Sequence, residues 1–175
     1  MASLQASLRI IAPESTEPAD VVARLNHLFN HNIRLTKFVT LFLARYDENT
    51  RVLTYCNAGH NPPLVHRADG SIEALLPTGA AIGLIEQTEF SQGTITLRPG
   101  DRMVLYTDGV VESMNAKEQL FGQERLEKLL RETSGNSARN MIGTLKEQLQ
   151  KFSGVSIPGD DTTVIAVSVV GQSHS

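Results

Sequence analysis

The sequence contains very little cysteine. Cys56 is the single cysteine among 175 residues, which excludes an intrachain disulfide and a cysteine-rich zinc site. It lies in the apolar run at residues 52–56, which is typical of a strand. We therefore interpret Cys56 as a buried structural thiol rather than as a nucleophile.

Long apolar runs and a large charge imbalance are also missing. No stretch approaches the roughly 20 apolar residues that span a bilayer, and no basic region followed by an apolar block marks a signal peptide. The 16 basic and 19 acidic residues leave a net charge of -3, which excludes the strongly basic surface of proteins that bind nucleic acid or anionic membranes. We therefore expect a cytoplasmic protein that has neither nucleic acid nor a membrane as its partner.

The remaining composition fits one globular domain. A chain of 175 residues with 41% hydrophobic residues is long enough to bury a sizeable core. We expect that domain over residues 1–170 and a disordered polar tail over residues 171–175. The first helix, over residues 1–11, ends before Pro13 and has no capping residue in front of it, which suggests a chain that begins within an element.

The spacing of apolar residues predicts helices at both ends of the chain and strands between them. The helices are expected at residues 1–11, 17–32, 123–131 and 137–152. The strands are expected at residues 38–46, 52–57, 63–66, 71–75, 94–97, 102–106 and 162–170. The last strand is so apolar that we expect it to lie in the centre of a sheet.

This order of elements predicts the α+β class. A parallel doubly wound sheet requires strands and helices to alternate, whereas here they follow one another in blocks. The sequence ADG at 68–70 is a hairpin turn signal, and RPGD at 98–101 is another turn between consecutive strands. We therefore expect antiparallel sheets covered by helices in a layered sandwich.

Two aspartates stand near glycine where an apolar strand ends or begins. Asp108 and Gly109 come after the strand expected at 102–106 with one residue between, and Asp160 comes two residues before the last strand begins. Hard divalent cations bind carboxylate oxygens from separate elements, and glycine allows close approach of the backbone. Either aspartate alone is more often a turn residue, but the pair suggests a cation site.

Three further polar residues have ordinary structural interpretations. Glu112 follows Asp108 by four residues and is within reach of the same site, although a surface position is the default for a carboxylate. Asp101 follows Pro-Gly and is interpreted as a turn residue. His60 is interpreted as bonding neighbouring backbone in a tight loop rather than acting as a general acid or base. The sequence contains no Ser-His-Asp arrangement, phosphate-binding glycine motif or nucleotide fingerprint.

Seven short segments carry a resemblance to a known family. They are FVTL at 38–41, NAGHNPP at 57–63, PTG through IG at 77–83, LRPGD at 97–101, LYTDGV at 105–110, LFG at 120–122 and DDTT at 160–163. In this order they resemble the SpoIIE/RsbU branch of the PPM (PP2C-like) serine/threonine phosphatases, over nearly the whole chain. Each segment alone is modest, but seven in the right order are highly specific.

The resemblance implies a PP2C-like sandwich of two antiparallel sheets flanked by helices, and hydrolysis of phosphoserine or phosphothreonine. It implies Mn²⁺ or Mg²⁺ at positions that include Asp108, Gly109 and Asp160, with Asp161 and Glu112 beside them. It further implies that in the complete domain two such ions would together make a water molecule more acidic for attack on phosphorus, without a phosphoenzyme. The partner implied is a regulatory protein, typically a STAS-type anti-sigma-factor antagonist.

One departure from the family pattern limits these expectations. The family's upstream Gly-Asp-x-x-Asp and Asp-x-x-Gly-x-Gly motifs do not occur here, which implies a domain truncated at its N-terminus and missing the first strands. The carboxylates that are present predict one weak metal site or none, and weak or absent activity. Unpaired sheet edges favour a homodimer. A catalytically inactive regulatory module and a pure binding module remain alternatives.

Overall fold

The chain divides into two units, each built from segments that are apart in the sequence. The structure, a computed structural model, describes residues 2–32, 38–135, 137–154 and 161–171. The first unit comprises residues up to Pro62 together with Leu75–Leu97. The second unit comprises Pro63–Ala74 together with the residues from Arg98 onward.

Helices and strands follow in the order expected from the sequence. The helices of the described ranges are α1 (Ala2–Ile11), α2 (Pro18–Asn32), α3 (Asp108–Val111), α4 (Gly122–Glu132) and α5 (Ala138–Ser153), with a short 3-10 helix at Ala12–Glu14. The strands of these ranges are β1 (Leu41–Asp47), β2 (Val52–Ala58), β3 (Leu64–His66), β4 (Ile72–Ala74), β5 (Gly93–Thr96), β6 (Arg102–Tyr106) and β7 (Val164–Ser168). The pairs between these strands are antiparallel. In the part of the chain that is described, no helix has both the length and the apolar character needed to cross a membrane.

In the first unit, α1 and α2 pack together over a three-stranded sheet of order β1-β2-β5. The apolar stripe predicted on α2 lies in the core, where Val22 and Leu25 are fully buried together with Cys56 of β2. The predicted burial of the thiol is therefore confirmed. Burial raises the pKa of Cys56 more than the hydrogen bond from Thr78 Oγ1 to its Sγ lowers it, so the thiol stays protonated and unreactive near neutral pH.

In the second unit, α4 and α5 share a core with a four-stranded sheet of order β4-β3-β6-β7. Leu126 of α4 and Leu145 of α5 lie in this core with Val104 of β6. Helix α5 follows Ser137, whose side chain accepts a hydrogen bond from Asn140 N at 3.2 Å and so satisfies a free backbone donor of the first turn. Two antiparallel sheets with flanking helices confirm the predicted α+β class.

The last strand lies at the edge of its sheet, so the expected central position is wrong. Strand β7 pairs with β6, and no described strand pairs with its other side. Val164 and Ala166 pack against the core of the second unit. Ile165 and Val167 alternate with them and are 53% and 40% exposed. The apolar composition signalled burial, but in the described residues only one face of β7 is covered.

The start of the first strand also differs from the sequence-based expectation. The first strand begins at Leu41 rather than at residue 38, because Val39 forms only an isolated bridge, to Ile82. Of the tail expected at 171–175, residues 172–175 lie outside the described residues.

Candidate metal centre

The antiparallel pairing of β6 and β7 brings two loops together in the second unit. Tyr106, the last residue of β6, lies opposite Val164, the first residue of β7. The residues that follow β6 are therefore neighbours of the residues that precede β7. Asp108 belongs to the first of these segments and Asp161 to the second.

Thr107 fastens the two segments to each other. Its backbone N donates to Thr163 O at 3.1 Å, and its hydroxyl donates to Asp161 O at 3.1 Å. The same hydroxyl oxygen accepts a hydrogen bond from Thr163 N at 2.9 Å. One side chain therefore satisfies a backbone acceptor and a backbone donor of the opposite segment, and this fixes their separation.

Asp108 begins α3, which is a single helical turn. Val110 N donates to Thr107 O at 3.0 Å and Glu112 N donates to Asp108 O at 2.8 Å, which closes the turn. The Asp108 side chain is exposed, and its Oδ1 accepts a hydrogen bond from Gly109 N at 2.9 Å. Glu112 is also exposed and lies four residues later, so the turn places both carboxylates on one side.

Gly109 packs tightly against the segment that precedes β7. A Cβ at this position would lie 2.9 Å from Asp161 O and 3.1 Å from Thr162 Oγ1. The Thr162 hydroxyl donates to Gly109 O at 3.4 Å, which is a second link between the segments. The prediction that glycine permits close backbone approach here is therefore supported by a specific contact.

The structure places four of the five residues named from the sequence. Asp108, Gly109 and Glu112 lie on the α3 turn, and Asp161 lies on the segment bonded to it. Asp160 lies outside the described residues. Among the residues that the structure describes, no three His, Cys, Asp or Glu side chains are already gathered as a metal site.

Sequence reasoning missed the two threonines that connect the segments. Thr107 and Thr162 are adjacent to residues that the sequence did single out, and a β-branched hydroxyl residue at a strand end is a local signal of a side chain that bonds backbone. The partners of Thr107, however, are 54 and 56 residues away in the sequence. No local pattern predicts such a contact.

Asp101, the residue before β6, is more than a turn residue. Its side chain is 2% exposed and accepts hydrogen bonds from Arg98 N at 2.8 Å, from Ala68 N at 3.1 Å and from Arg67 Nη1 at 2.8 Å. Burial by itself raises the pKa of Asp101, but the bonds from Arg98 and Arg67 outweigh it and hold that pKa below its ordinary value. The carboxylate is an internal cross-link of the second unit.

His60 lies in the loop after β2. Its backbone N donates to Asn57 Oδ1 at 2.9 Å, and its ring Nδ1 lies 3.5 Å from Thr40 Oγ1. The first contact holds the loop through the backbone of His60 and the side chain of Asn57. The second joins the His60 ring to the side chain of Thr40.

The sequence matches the family described as Stage II sporulation protein E (SpoIIE) over residues 1–170. The chain belongs to the SpoIIE family. The resemblance carried by the seven sequence segments is thereby confirmed.

Two curated relatives place this SpoIIE-family chain among longer proteins. Protein IcfG of Synechocystis sp. (strain ATCC 27184 / PCC 6803 / Kazusa) is 33% identical over 134 residues, which cover 76% of this chain and 21% of IcfG. Phosphoserine phosphatase RsbU of Bacillus subtilis (strain 168) is 25% identical over 166 residues, which cover 94% of this chain and 49% of RsbU. The chain therefore spans about half or less of the length of these relatives.

Solved structures show the same fold. The SiaA-PP2C domain of Pseudomonas aeruginosa superimposes with a TM-score of 0.83 at 18% identity, covering 95% of this chain and 67% of that chain. The phosphatase domain of the cell fate determinant SpoIIE from Bacillus subtilis, presoaked with Mn, superimposes with a TM-score of 0.69 at 17% identity, covering 98% and 76%. The PP2C-like fold predicted for this SpoIIE-family chain is confirmed.

Proposed function

We propose that this SpoIIE-family chain is a divalent-cation-dependent phosphatase domain that hydrolyses phosphoserine or phosphothreonine on a regulatory protein. The observation that carries the proposal is the attachment of residues 161–163 to Thr107, which holds a second acidic segment beside the exposed carboxylate of Asp108. The relation to RsbU, a phosphoserine phosphatase by name, supports the type of reaction.

We assign the cation to Asp108, Gly109 and Asp160, with Asp161 and Glu112 beside it. These residues fit a hard cation, because carboxylate and backbone carbonyl oxygens are the ligands that Mg²⁺ and Mn²⁺ prefer. The close approach at Gly109 brings the backbone of the two acidic segments together. The Mn-presoaked SpoIIE domain of the same fold supports Mn²⁺ as one candidate ion.

A divalent cation bound here would supply charge neutralisation for the phosphate oxygens and a more acidic water molecule. The contribution of the protein is to position its oxygens. The hydrogen bond from Gly109 N to Asp108 Oδ1 restricts the orientation of that carboxylate. Thr107 holds the opposite segment at a fixed distance, and both restraints reduce the entropy lost when a cation binds.

The number of carboxylates argues for a weak site. Asp108 and Asp160 carry at most two negative charges, whereas two divalent cations carry four positive ones. Repulsion between two poorly neutralised cations disfavours their binding together. We therefore propose that this chain holds one weakly bound ion and turns over substrate slowly.

The test is Mn²⁺-dependent hydrolysis of p-nitrophenyl phosphate and of a phosphoserine peptide. We expect Asp108→Asn to lower this activity by about 100-fold or more, because the amide carries no negative charge with which to bind the cation. Asp69→Asn is the matched control, since asparagine can still accept the hydrogen bond from Ser71 N at that turn. Equal loss in both variants, or no loss in Asp108→Asn, contradicts the proposal.

The alternative is a catalytically inactive regulatory or binding module of the same fold. The observation that favours it is the lack, in the described ranges, of three acidic or histidine side chains gathered at one point. Calorimetric titration with Mn²⁺ separates the two functions. A phosphatase binds Mn²⁺ and loses the heat in Asp108→Asn, whereas a pure binding module gives no heat in either protein.

We further propose a phosphorylated STAS-type anti-sigma-factor antagonist as the substrate. The resemblance of the seven sequence segments to the SpoIIE/RsbU branch supports this class. The measurement is release of phosphate from a phosphorylated STAS protein, compared with an unrelated phosphoprotein at equal concentration. Equal rates on the two substrates contradict the assignment.

A second copy of the chain is a further proposed partner, through the edge of β7. The free side of this strand presents unpaired backbone groups in the described residues, and Ile165 and Val167 add exposed apolar surface. Such edges pair readily with other strands. Light scattering over a range of concentrations tests this, and a constant monomer mass contradicts it.

A further inference from the structure

A short hairpin, residues 113–121, leads from the α3 turn to α4 in the second unit. Met114 and Leu120 form an antiparallel bridge across it, and Phe121 N donates to Ser113 O at 2.8 Å. Residues directly opposite each other in an antiparallel pair have their side chains on the same face. Met114 and Leu120, which we call the apolar pair, are 57% and 46% exposed. This face of the hairpin therefore presents two adjacent apolar side chains to solvent.

The opposite face of the hairpin is anchored in the core. Phe121 follows Leu120 in extended backbone and points the other way. It is 2% exposed, and its ring lies edge-on to that of Phe152 with 5.4 Å between the centroids. Arg125 Nη1 donates to the carbonyl oxygens of Leu120 and Phe121 at 2.9 and 2.7 Å. These contacts hold the apolar pair outward.

One amide side chain fixes the tip of the hairpin. Asn115 Oδ1 accepts hydrogen bonds from Lys117 N at 2.9 Å and from Gln119 N at 3.0 Å. Asn115 Nδ2 donates to Gln119 Oε1 at 2.9 Å. A turn bonded in this way keeps the apolar pair together before any ligand arrives, which lowers the entropy lost on binding.

The apolar pair lies close to the carboxylates that we propose as cation ligands. The α3 turn begins at Asp108, Glu112 follows its last residue, and Met114 comes two residues later. At 1.5 Å per residue in a helix and at most about 3.6 Å per residue beyond it, the Cα atoms of Asp108 and Met114 lie within about 13 Å of each other. An extended peptide covers that distance in about four residues. A phosphoserine bound at the cation therefore brings neighbouring residues of its own chain within reach of the apolar pair.

The size of the apolar pair fits a short segment of chain rather than a whole protein surface. A stable interface between two folded proteins buries about 800 Å² on each partner. Two partly exposed side chains do not approach that area, whereas one or two apolar residues of an extended peptide are enough to cover them. A phosphorylated segment is therefore a better occupant than a second copy of this chain.

We propose that Met114 and Leu120 determine which phosphoproteins this chain dephosphorylates, by binding an apolar residue within about four positions of the phosphoserine or phosphothreonine. The inference rests on the proposed phosphatase function and adds a substrate class to it. Burial of the apolar residue against the pair strengthens binding in the ground state and in the transition state alike. It therefore acts on KM rather than on kcat.

The experiment compares two phosphoserine peptides in the presence of Mn²⁺. One peptide has leucine at the third and fourth positions on either side of the phosphoserine, and the other has glutamine there. The reference substrate is p-nitrophenyl phosphate, which has no neighbouring residues. We expect the wild type to show a kcat/KM about tenfold higher on the leucine peptide. Met114→Gln and Leu120→Gln should each remove most of this preference by raising KM on the leucine peptide.

Leu84→Gln is the matched control and should keep the preference, because Leu84 is an apolar residue of the first unit with a similar exposure of 56%. Circular dichroism verifies that the variants are folded. Met114 is the more exposed of the pair, so its variant serves as the test if Leu120→Gln does not fold.

Three results would overturn the inference while leaving the proposed phosphatase function in place. They are equal kcat/KM on the two peptides in a wild type that hydrolyses p-nitrophenyl phosphate, a preference that survives in both variants, and loss of a dimer in light scattering with the preference unchanged. Hydrolysis of none of the three substrates by the wild type contradicts the proposed function itself, and the inference with it.

Discussion

The two ends of strand β6 each carry an aspartate, and the surroundings of the two carboxylates are opposite. Asp101, just before the strand, is almost completely buried and accepts three hydrogen bonds from other residues. Asp108, just after it, is exposed, and its Oδ1 accepts a hydrogen bond from the backbone of the next residue. A carboxylate whose oxygens are fully used stabilises the fold, whereas one with an open oxygen can bind a ligand.

The difference follows from what lies opposite each end of the strand. At the start of β6, the β3–β4 connection supplies the guanidinium of Arg67 and the backbone N of Ala68. At the other end, the segment before β7 is held by Thr107 instead, which leaves the Asp108 carboxylate outside the backbone contacts between the two segments. Thr107 makes the structural hydrogen bonds at this end, so the neighbouring Asp108 carboxylate is not needed for them and can bind a ligand.

The largest expected effect of a substitution is at the buried end. Asp101→Ala should lower the free energy of unfolding by about 3 kcal/mol, because it removes the buried carboxylate partner of Arg67, which is itself largely buried. Asp108→Ala is the paired variant and should change it by less than about 0.5 kcal/mol without metal. Urea denaturation measures both free energies. Equal losses would contradict the claim that Asp101 stabilises the fold and Asp108 does not.

A smaller effect is expected where the two segments are fastened. Thr107→Val keeps the shape of the side chain but removes the hydroxyl, so Asp161 O and Thr163 N lose their hydrogen bonds to it. We expect a loss of about 1–2 kcal/mol in unfolding free energy and a larger relative loss of Mn²⁺-dependent activity. Thr144→Val, which removes an exposed hydroxyl bond on α5, is the control and should leave the activity unchanged.

The smallest effect is on the pH dependence of stability. The pKa of Asp101 is held below its ordinary value of 3.8, so its carboxylate stabilises the fold fully above that pH and progressively less as the pH falls through the lowered pKa. The difference in unfolding free energy between wild type and Asp101→Asn should therefore shrink between pH 5 and pH 3. Urea titrations at several pH values check this, and a constant difference would argue against the buried ionic contact.

Local signals were sufficient for one part of the candidate site. The Asp-Gly pair at 108–109 closely follows an apolar strand, and Ser137 precedes a helical pattern, so each could be interpreted from its immediate neighbours. The fold class followed from the block order of strands and helices. The family could be recognised from the order of the seven segments, although no single segment was specific enough.

Contacts between distant residues could not be predicted in this way. Arg67 and Asp101 are 34 residues apart, and the sequence around either residue gives no sign that the other is its partner. The position of β7 could not be predicted either, because an apolar composition shows neither how many strands flank a strand nor whether both of its faces are covered. The short α3 turn was missed because four residues are too few to show a helical period.

The location of Cys56 offers a way to watch one unit alone. Its sulfhydryl is the sole one in the chain and is fully buried in the core of the first unit. A thiol-labelling reagent can therefore modify the protein only when that core is exposed, whatever the second unit does. Labelling that outpaces the loss of the circular dichroism signal would reveal that the first unit opens independently.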